Sequence, residues 1–327
     1  IFFRSVFLPT SLMPVIKFQP KTDAEVCRAF WSKAQKQDDH QDVFYGMITA
    51  GLSEPVPKPG KGDWLREHEE KGQTLRQFEN CSFRIEPHGH CDTILLQPVG
   101  DYPDDAEAAP PLNALAEYVT AFYGVPTRVL PAVALEKIPG LTTRMHGGFR
   151  QLLIGDIYNF MKELLKSRDL ARKTLAVVAV TMEDLYPGDD WNFVYGQAYA
   201  LEAVGVFSFA RFHPSFSPPS TPASASAVML QRSCKVLTHE IGHLAGLRHC
   251  IHRRCLLNGV NHELEMQMQP LQLCPLCLKK LSGSFKWHLM TRSQQLLAFY
   301  TAHKGFEEAA QKEQSMQAYL ATRQQKG

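Results

Sequence analysis

The chain has 327 residues, with 44% hydrophobic and 21% charged residues, which are the values of a globular protein and exclude wholesale disorder. Lys+Arg 35 against Asp+Glu 33 leaves a formal charge of +2, so no basic field advertises nucleic acid or an anionic membrane. No apolar run approaches the ~18 residues of a spanning helix.

Taken in chain order, IFFRSVFLPTSLMPVI at the start is apolar but interrupted by Arg4, Pro9 and Pro14. It lacks the unbroken apolar core of a signal peptide, and an intracellular location, cytoplasmic or nuclear, is the expectation. An Ile at position 1 leaves the native start open. Residues 21–37 suit a helix, 54–64 (EPVPKPGKGDW) a Pro/Gly loop, and 65–80 a second, polar helix. The pair His88 and His90 with Cys91 is read as a solvated loop.

Regular patterning begins at residue 92. DTILLQPVG (92–100) reads as a buried strand, and 110–124 as a helix with Leu112, Leu115, Tyr118, Val119 and Phe122 on one face and Gly124 as its stop. TRVLPAV (127–133) is a second strand, 148–168 an amphipathic helix, and KTLAVVAVTMEDLY (173–186) opens as a strand covered on both faces. The resulting β-α-β-α-β order predicts a largely parallel sheet with helical crossovers, hence an α/β fold. A further strand is expected at 203–212, then a mobile Pro/Ser/Ala loop at 213–227, then a helix at 228–246. Residues 293–325 read as a helix, a break at Gly305 and a polar helix whose last part is a loose tail. Asp189 and Asp190 are read as turn residues, and Asp184 has no role assignable from sequence.

The chemistry is concentrated in THEIGHLAGLRHC, residues 238–250. His239 and His243 are four apart, which puts both imidazoles on one helix face, one turn apart. Zinc accepts imidazole nitrogen, and catalytic sites use three protein ligands with one open position. Glu240 adjoins the first ligand and can act on a metal-polarised water without becoming a ligand. His249 is the third candidate. On a continuing helix it would lie roughly 240° from His243, so the chain must bend, and Gly246 is the residue able to take the left-handed conformation that a bend requires. A buried helix with ordinarily hydrogen-bonded histidines would leave the Gly246 and His249 offsets unexplained.

Four of the eight cysteines are scattered (Cys27, Cys81, Cys91, Cys234), while Cys250, Cys255, Cys274 and Cys277 fall in one stretch. That spacing suits a closed tetrahedral zinc site of four thiolates, with two disulfides as the alternative. His252 and His262 are possible substitutes, although His252, beside Arg253 and Arg254, is expected to face solvent.

The run HEIGHLAGLRHCIHRRCLLNGVNHELEMQMQPLQLCPLC (239–277), with VTMEDLYPGDDWNFVYGQA (180–198) and VGVFSFARF (204–212), resembles the archaemetzincin family of zinc metallopeptidases. The resemblance covers roughly residues 92–290. It implies a metzincin-like mixed sheet with crossover helices and an active-site helix, plus a zinc-stapled C-terminal subdomain. It also implies His239, His243 and His249 on catalytic zinc, Glu240 as general base, and Cys250, Cys255, Cys274 and Cys277 on structural zinc, two zinc ions per chain. The 204–212 strand would be the sheet edge that pairs with an extended peptide. The departure is Leu257, which stands where the family's metal-supporting methionine is expected; Met266 and Met268 lie too far along to replace it.

These readings give an N-terminal extension of unassigned structure (1–91), a metallopeptidase domain (92–290) and a C-terminal helical tail (291–327). The expected function is zinc-dependent hydrolysis of peptide bonds in a peptide or protein substrate, with no nucleic-acid or membrane partner. The alternative is a zinc-stabilised peptide-binding module with little or no turnover, motivated by Leu257 and the unassigned first ninety residues. A nucleic-acid adaptor using the cysteines alone is disfavoured by the near-zero net charge and the complete histidine set. Neither the substrate nor the oligomeric state is written in the sequence.

Overall fold

The computed structural model describes residues 18–31, 42–166, 170, 173–213 and 224–324. The sequence expectations for residues 1–16, for 32–37 and for most of the 213–227 loop lie outside these. The described residues form two compact units, one comprising Phe83–Ala245, the other combining residues 18–82 with residues 246–324.

In the first unit, β1 (Thr93–Pro98), β2 (Thr127–Val129), β5 (Thr174–Thr181), β7 (Gly196–Tyr199) and β8 (Val204–Ser208) form a sheet of order β2-β1-β5-β8-β7. All neighbours are parallel except the β7–β8 pair, so the sheet is mixed, as expected. β1 is buried at every position and β5 at all but Thr174, which explains their continuous apolar sequences: both faces are covered. Helix Ile154–Leu165 covers the face bearing Leu95, Val177, Ala179, Val204 and Val206. The alternate residues Ile94, Leu96, Val178, Val180 and Phe207 are equally buried and point to the other face by the strand's two-residue period.

A smaller sheet of β3 (Thr143–His146), β4 (Phe149–Leu153) and β6 (Asp184–Tyr186) corrects the sequence reading of 148–168 as one helix. Gly147 and Gly148, both with positive φ, turn the chain between β3 and β4, and Phe149–Leu153 pairs antiparallel with Thr143–His146 before the helix begins at Ile154. A short apolar run is ambiguous between strand and helix, and here the hairpin turn decides it. A second correction concerns β8. It lies between β5 and β7, so it is an interior strand, and the edges of this sheet are β2 and β7. The continuous run VGVFS, buried at all five positions, is the signature of an interior strand rather than an edge.

The long helix Ala225–Leu244, capped by Ser224, packs against β7, β8 and helix Leu112–Tyr123. From Met229 it is buried on nearly every side, yet it carries Arg232, Lys235, His239, Glu240 and His243. Arg232 donates to the Phe212 carbonyl at 3.1 Å.

In the second unit, the expected helix at 65–80 is two short ones, Trp64–Glu67 and Leu75–Glu79. Between them Gly72 has φ +66, and a Cβ there would come within 2.7 Å of Ile251 Cγ1. Helix Val43–Thr49 packs against Pro275–Phe285 and Glu307–Gln324. The final helix is not a loose tail: Leu320 is buried and Tyr319 donates its hydroxyl to the Val43 carbonyl at 2.8 Å. Among the described residues no helix is long and apolar enough to cross a membrane.

Gly72→Ala is expected to cost about 1–3 kcal/mol, because a left-handed L-residue and an overpacked contact are imposed together. Gly155→Ala, in the open on helix Ile154–Leu165, should instead add up to about 1 kcal/mol. Denaturant midpoints measure both, and equal midpoints for the two variants would contradict the assignment.

Candidate metal centres

Helix Ala225–Leu244 positions His239, Glu240 and His243 in its last turns, where they are 0%, 1% and 4% exposed. Its register is fixed from inside: Tyr123 donates its hydroxyl to the Thr238 carbonyl at 2.5 Å, and Thr238 donates its own to the Cys234 carbonyl at 2.7 Å. The backbone N–H of Ile85 takes the Leu244 carbonyl at 3.1 Å, one of the orphan acceptors of a helix end. Ala245 is the cap, and Gly246 follows at φ +85, the left-handed conformation expected of the bend.

Three residues later the chain reaches His249. The Nε2 atoms of His239 and His243 are 3.0 Å apart. Tetrahedral zinc with bonds of about 2.0–2.1 Å places neighbouring nitrogens about 3.3 Å apart. Glu240 does not belong to this set of donors. Its Oε2 is buried with no hydrogen-bond partner, and burial pushes its carboxyl up to about 8. Two imidazole nitrogens this close, on a helix that also carries an unsatisfied buried acid, suit a cation better than a closed hydrogen-bonded core. The cluster can therefore hold zinc.

Cys250, Cys255, Cys274 and Cys277 are all buried, and their sulfurs also converge within 4.8 Å. Cys250 Sγ and Cys274 Sγ are 3.6 Å apart, close to the about 3.8 Å between sulfurs of a tetrahedral zinc–thiolate site and far from the about 2.05 Å of a disulfide. The Cys274 backbone N–H donates to Cys255 Sγ at 3.2 Å. Hydrogen bonds from Cys255, Cys274 and Cys277 hold the Cys250 thiol well below its ordinary value, while burial pushes Cys255 up. A divalent cation would stabilise all four as thiolates. The loop between is stitched by Asn258, whose amide donates to the Cys250 and Arg253 carbonyls at 2.7 and 3.0 Å and accepts the Cys255 N–H at 2.7 Å.

His252 does not face solvent. It is 7% exposed, hydrogen-bonds Cys250, and sits beside Gly72; its neighbour Arg253, also buried, pairs with Asp23. The residues facing this segment are far away in sequence, so local charge gave the wrong answer. His262 caps helix Glu263–Met268, its Nδ1 accepting the Glu265 N–H at 3.3 Å and its Nε2 lying 2.9 Å from Asp63 Oδ1. The Asp63, His262 and Glu265 trio is thereby used in capping, and Glu265, pushed up to about 7 mainly by burial, accepts the backbone N–H groups of Trp64 and Asn261. Leu257 is fully buried, and its carbonyl accepts the Cys250 N–H at 2.7 Å; Met266 is buried, and Met268 is exposed.

Sequence reasoning missed Glu70 and Gln73. Glu70 Oε1 lies 2.8 Å from His249 Nδ1 and accepts the Trp64 indole N–H at 3.0 Å. Burial opposes ionisation of Glu70, but the bond and charge of His249, with the Trp64 bond, bring its carboxyl below the ordinary value. Gln73 donates to the Gly246 carbonyl at 2.9 Å. No spacing rule links residues 179 positions apart, and LREHEEKGQ reads only as a polar stretch.

The mixed α/β frame and a buried helix bearing His239, Glu240 and His243 are features of the zinc-metallopeptidase class. Residues 128–283 match the family model "Peptidase family M54". The chain is 33% identical to archaemetzincin-2 of Rattus norvegicus over 296 residues, which cover 82% of this chain and 81% of the relative. It is 34% identical to archaemetzincin-2 of Homo sapiens, over 74% of this chain and 73% of the relative. Among solved structures, that of archaemetzincin from Methanopyrus kandleri is 25% identical with a TM-score of 0.43, over 62% of this chain and 99% of that one. The chain belongs to the archaemetzincins, peptidase family M54, and is a zinc metallopeptidase of that family.

Cys274→Ser should lower the melting temperature by several degrees, because a structural zinc site contributes folding free energy directly. An unchanged thermal melt with unchanged zinc content would contradict a structural role for the four cysteines.

Proposed function

We propose that the chain hydrolyses peptide bonds of a peptide or protein substrate at a catalytic zinc held by His239, His243 and His249, with Glu240 as general base. A second, structural zinc is held by Cys250, Cys255, Cys274 and Cys277, giving two per chain. The observation that carries the reading is the close His239 and His243 pair, Nε2 atoms 3.0 Å apart, on the same helix as the buried, unpartnered Oε2 of Glu240.

Zinc bound by these histidines supplies a Lewis acid and brings the pKa of a bound water to about 7. The chain's own part is to receive and deliver the proton. Glu240 is desolvated and fixed on a rigid helix, so its Oε2 takes the proton as water attacks the peptide carbonyl and passes it to the leaving amine. Burial of the site helix excludes bulk water, which strengthens each of these interactions. Four thiolate ligands must stay reduced, which fits an intracellular compartment.

Leu257 supports keeping the peptide-binding module as a second reading, since the family's methionine is replaced there. Leu and Met are near in volume, and such a swap usually costs under about 1.5 kcal/mol, so metal binding is expected to survive it.

The test is cleavage of a mixed peptide library by the parent chain and by Glu240→Ala. The parent should cleave, and the variant should lose about 10²–10⁴-fold or more of the rate while keeping its zinc. Cleavage by Glu240→Ala at the parent rate would overturn the base assignment. A zinc-loaded parent that binds peptides without cleaving them would favour the module.

A further inference from the structure

We propose that Glu70 is a positioning residue for the histidine metal site, fixing His249 so that Nδ1 carries the proton and Nε2 is left for the metal. The inference rests on the proposed function, since it concerns the third histidine of that site.

A carboxylate only accepts, so the nitrogen facing it must carry hydrogen. Glu70 Oε1 is 2.8 Å from His249 Nδ1, and a neutral imidazole then has its lone pair on Nε2. His249 is 4% exposed, so no water competes freely for that bond. The carboxylate is itself held: the same Oε1 accepts the Trp64 indole N–H at 3.0 Å. Trp64 also packs edge-on against the His249 ring, with centroids 5.1 Å apart and planes at 84°, so ring tilt is set by one residue and the hydrogen bond by the next. Packing of this kind limits rotation of the imidazole about its side-chain bonds.

The contact is part of a longer brace. Three residues after Glu70, the buried Gln73 donates to the Gly246 carbonyl at 2.9 Å and accepts the Arg248 N–H at 3.4 Å. The buried Lys280 donates to the Gln73 backbone carbonyl at 2.5 Å and to its side-chain oxygen at 3.2 Å. Residues 70–73 thus hold the turn at Gly246, the residue before the ligand and the ligand itself. Trp64, Glu70 and Gln73 lie upstream of the family-model match at 128–283, so the first ninety residues supply part of the machinery for the motif. Partners of this kind orient a histidine ligand and raise its basicity, and losing one typically costs 10–100-fold in metal affinity.

The experiment compares the full-length parent, Glu70→Ala and Glu70→Gln by equilibrium dialysis against graded chelator, with bound zinc counted. His243→Ala marks which loss belongs to the histidines. Glu70→Ala should release that zinc at roughly 10–100-fold lower chelator activity, with the cysteine zinc unmoved. Glu70→Gln should stay near the parent, because its amide oxygen can accept both N–H bonds. Peptide kcat in Glu70→Ala should fall and recover toward the parent as free zinc is raised, with KM little changed. Should Glu70→Ala lose its cooperative melt, Glu70→Asp, one methylene short of His249, takes its place. Release at the parent's chelator activity, or equal weakening in the Ala and Gln variants, would overturn the positioning role. A parent with no zinc sensitive to His243→Ala would remove the proposed function, and this inference with it.

Discussion

The site depends first on one backbone conformation, the left-handed turn at Gly246. The preceding helix must run straight to deliver His239 and His243 from one face, and it must then stop abruptly, because a continuing helix would turn residue 249 away. At φ +85 only glycine is free of the Cβ penalty, and Ile85 satisfies the Leu244 carbonyl exposed by the stop. His249 and Cys250 then follow as adjacent residues, the first the proposed third zinc ligand and the second a member of the thiol cluster. A single peptide bond therefore ties the third histidine to the cysteine set, and whatever orders Cys250 also restricts His249.

That arrangement concentrates ionisable groups where water is scarce. His239, Glu240, His243, His249 and the four cysteines are each nine-tenths or more buried, and desolvation alone drives Glu240 toward neutrality. Burying so many polar atoms is costly unless each is paired or coordinates a cation. The two donor sets suit that cation in different ways. Four sulfurs close a tetrahedron and leave no room for chemistry, whereas three nitrogens leave a position open next to an acid. On the proposed function, the division of labour between stability and reaction follows from these ligand counts.

The sequence was most legible where periodicity and rare spacing coincide. β1 and β5 were plain from continuous apolar runs, helix Leu112–Tyr123 from its spacing and the stop at Gly124, and the metal segment from the offsets among His239, His243, Gly246 and His249. Other features depend on partners that sequence does not name. Phe149–Leu153 looked helical until the Gly147–Gly148 turn paired it with β3. The run at 204–208 carried an interior-strand pattern that the family resemblance led us to read as an edge. His252 and Arg253 looked exposed because their charge was visible and the residues that bury them, near 23 and 72, were not. Glu70 is the extreme case, since a polar stretch far upstream bears on His249 through tertiary contact alone.

The central claim is that neighbouring segments form two zinc sites of different kinds. The most direct measurement is zinc per chain, by elemental mass spectrometry, on full-length protein purified without added metal. The account predicts about two per chain, falling to about one in His243→Ala. About one zinc per chain in the parent, undiminished in His243→Ala even after zinc is supplied, would contradict it.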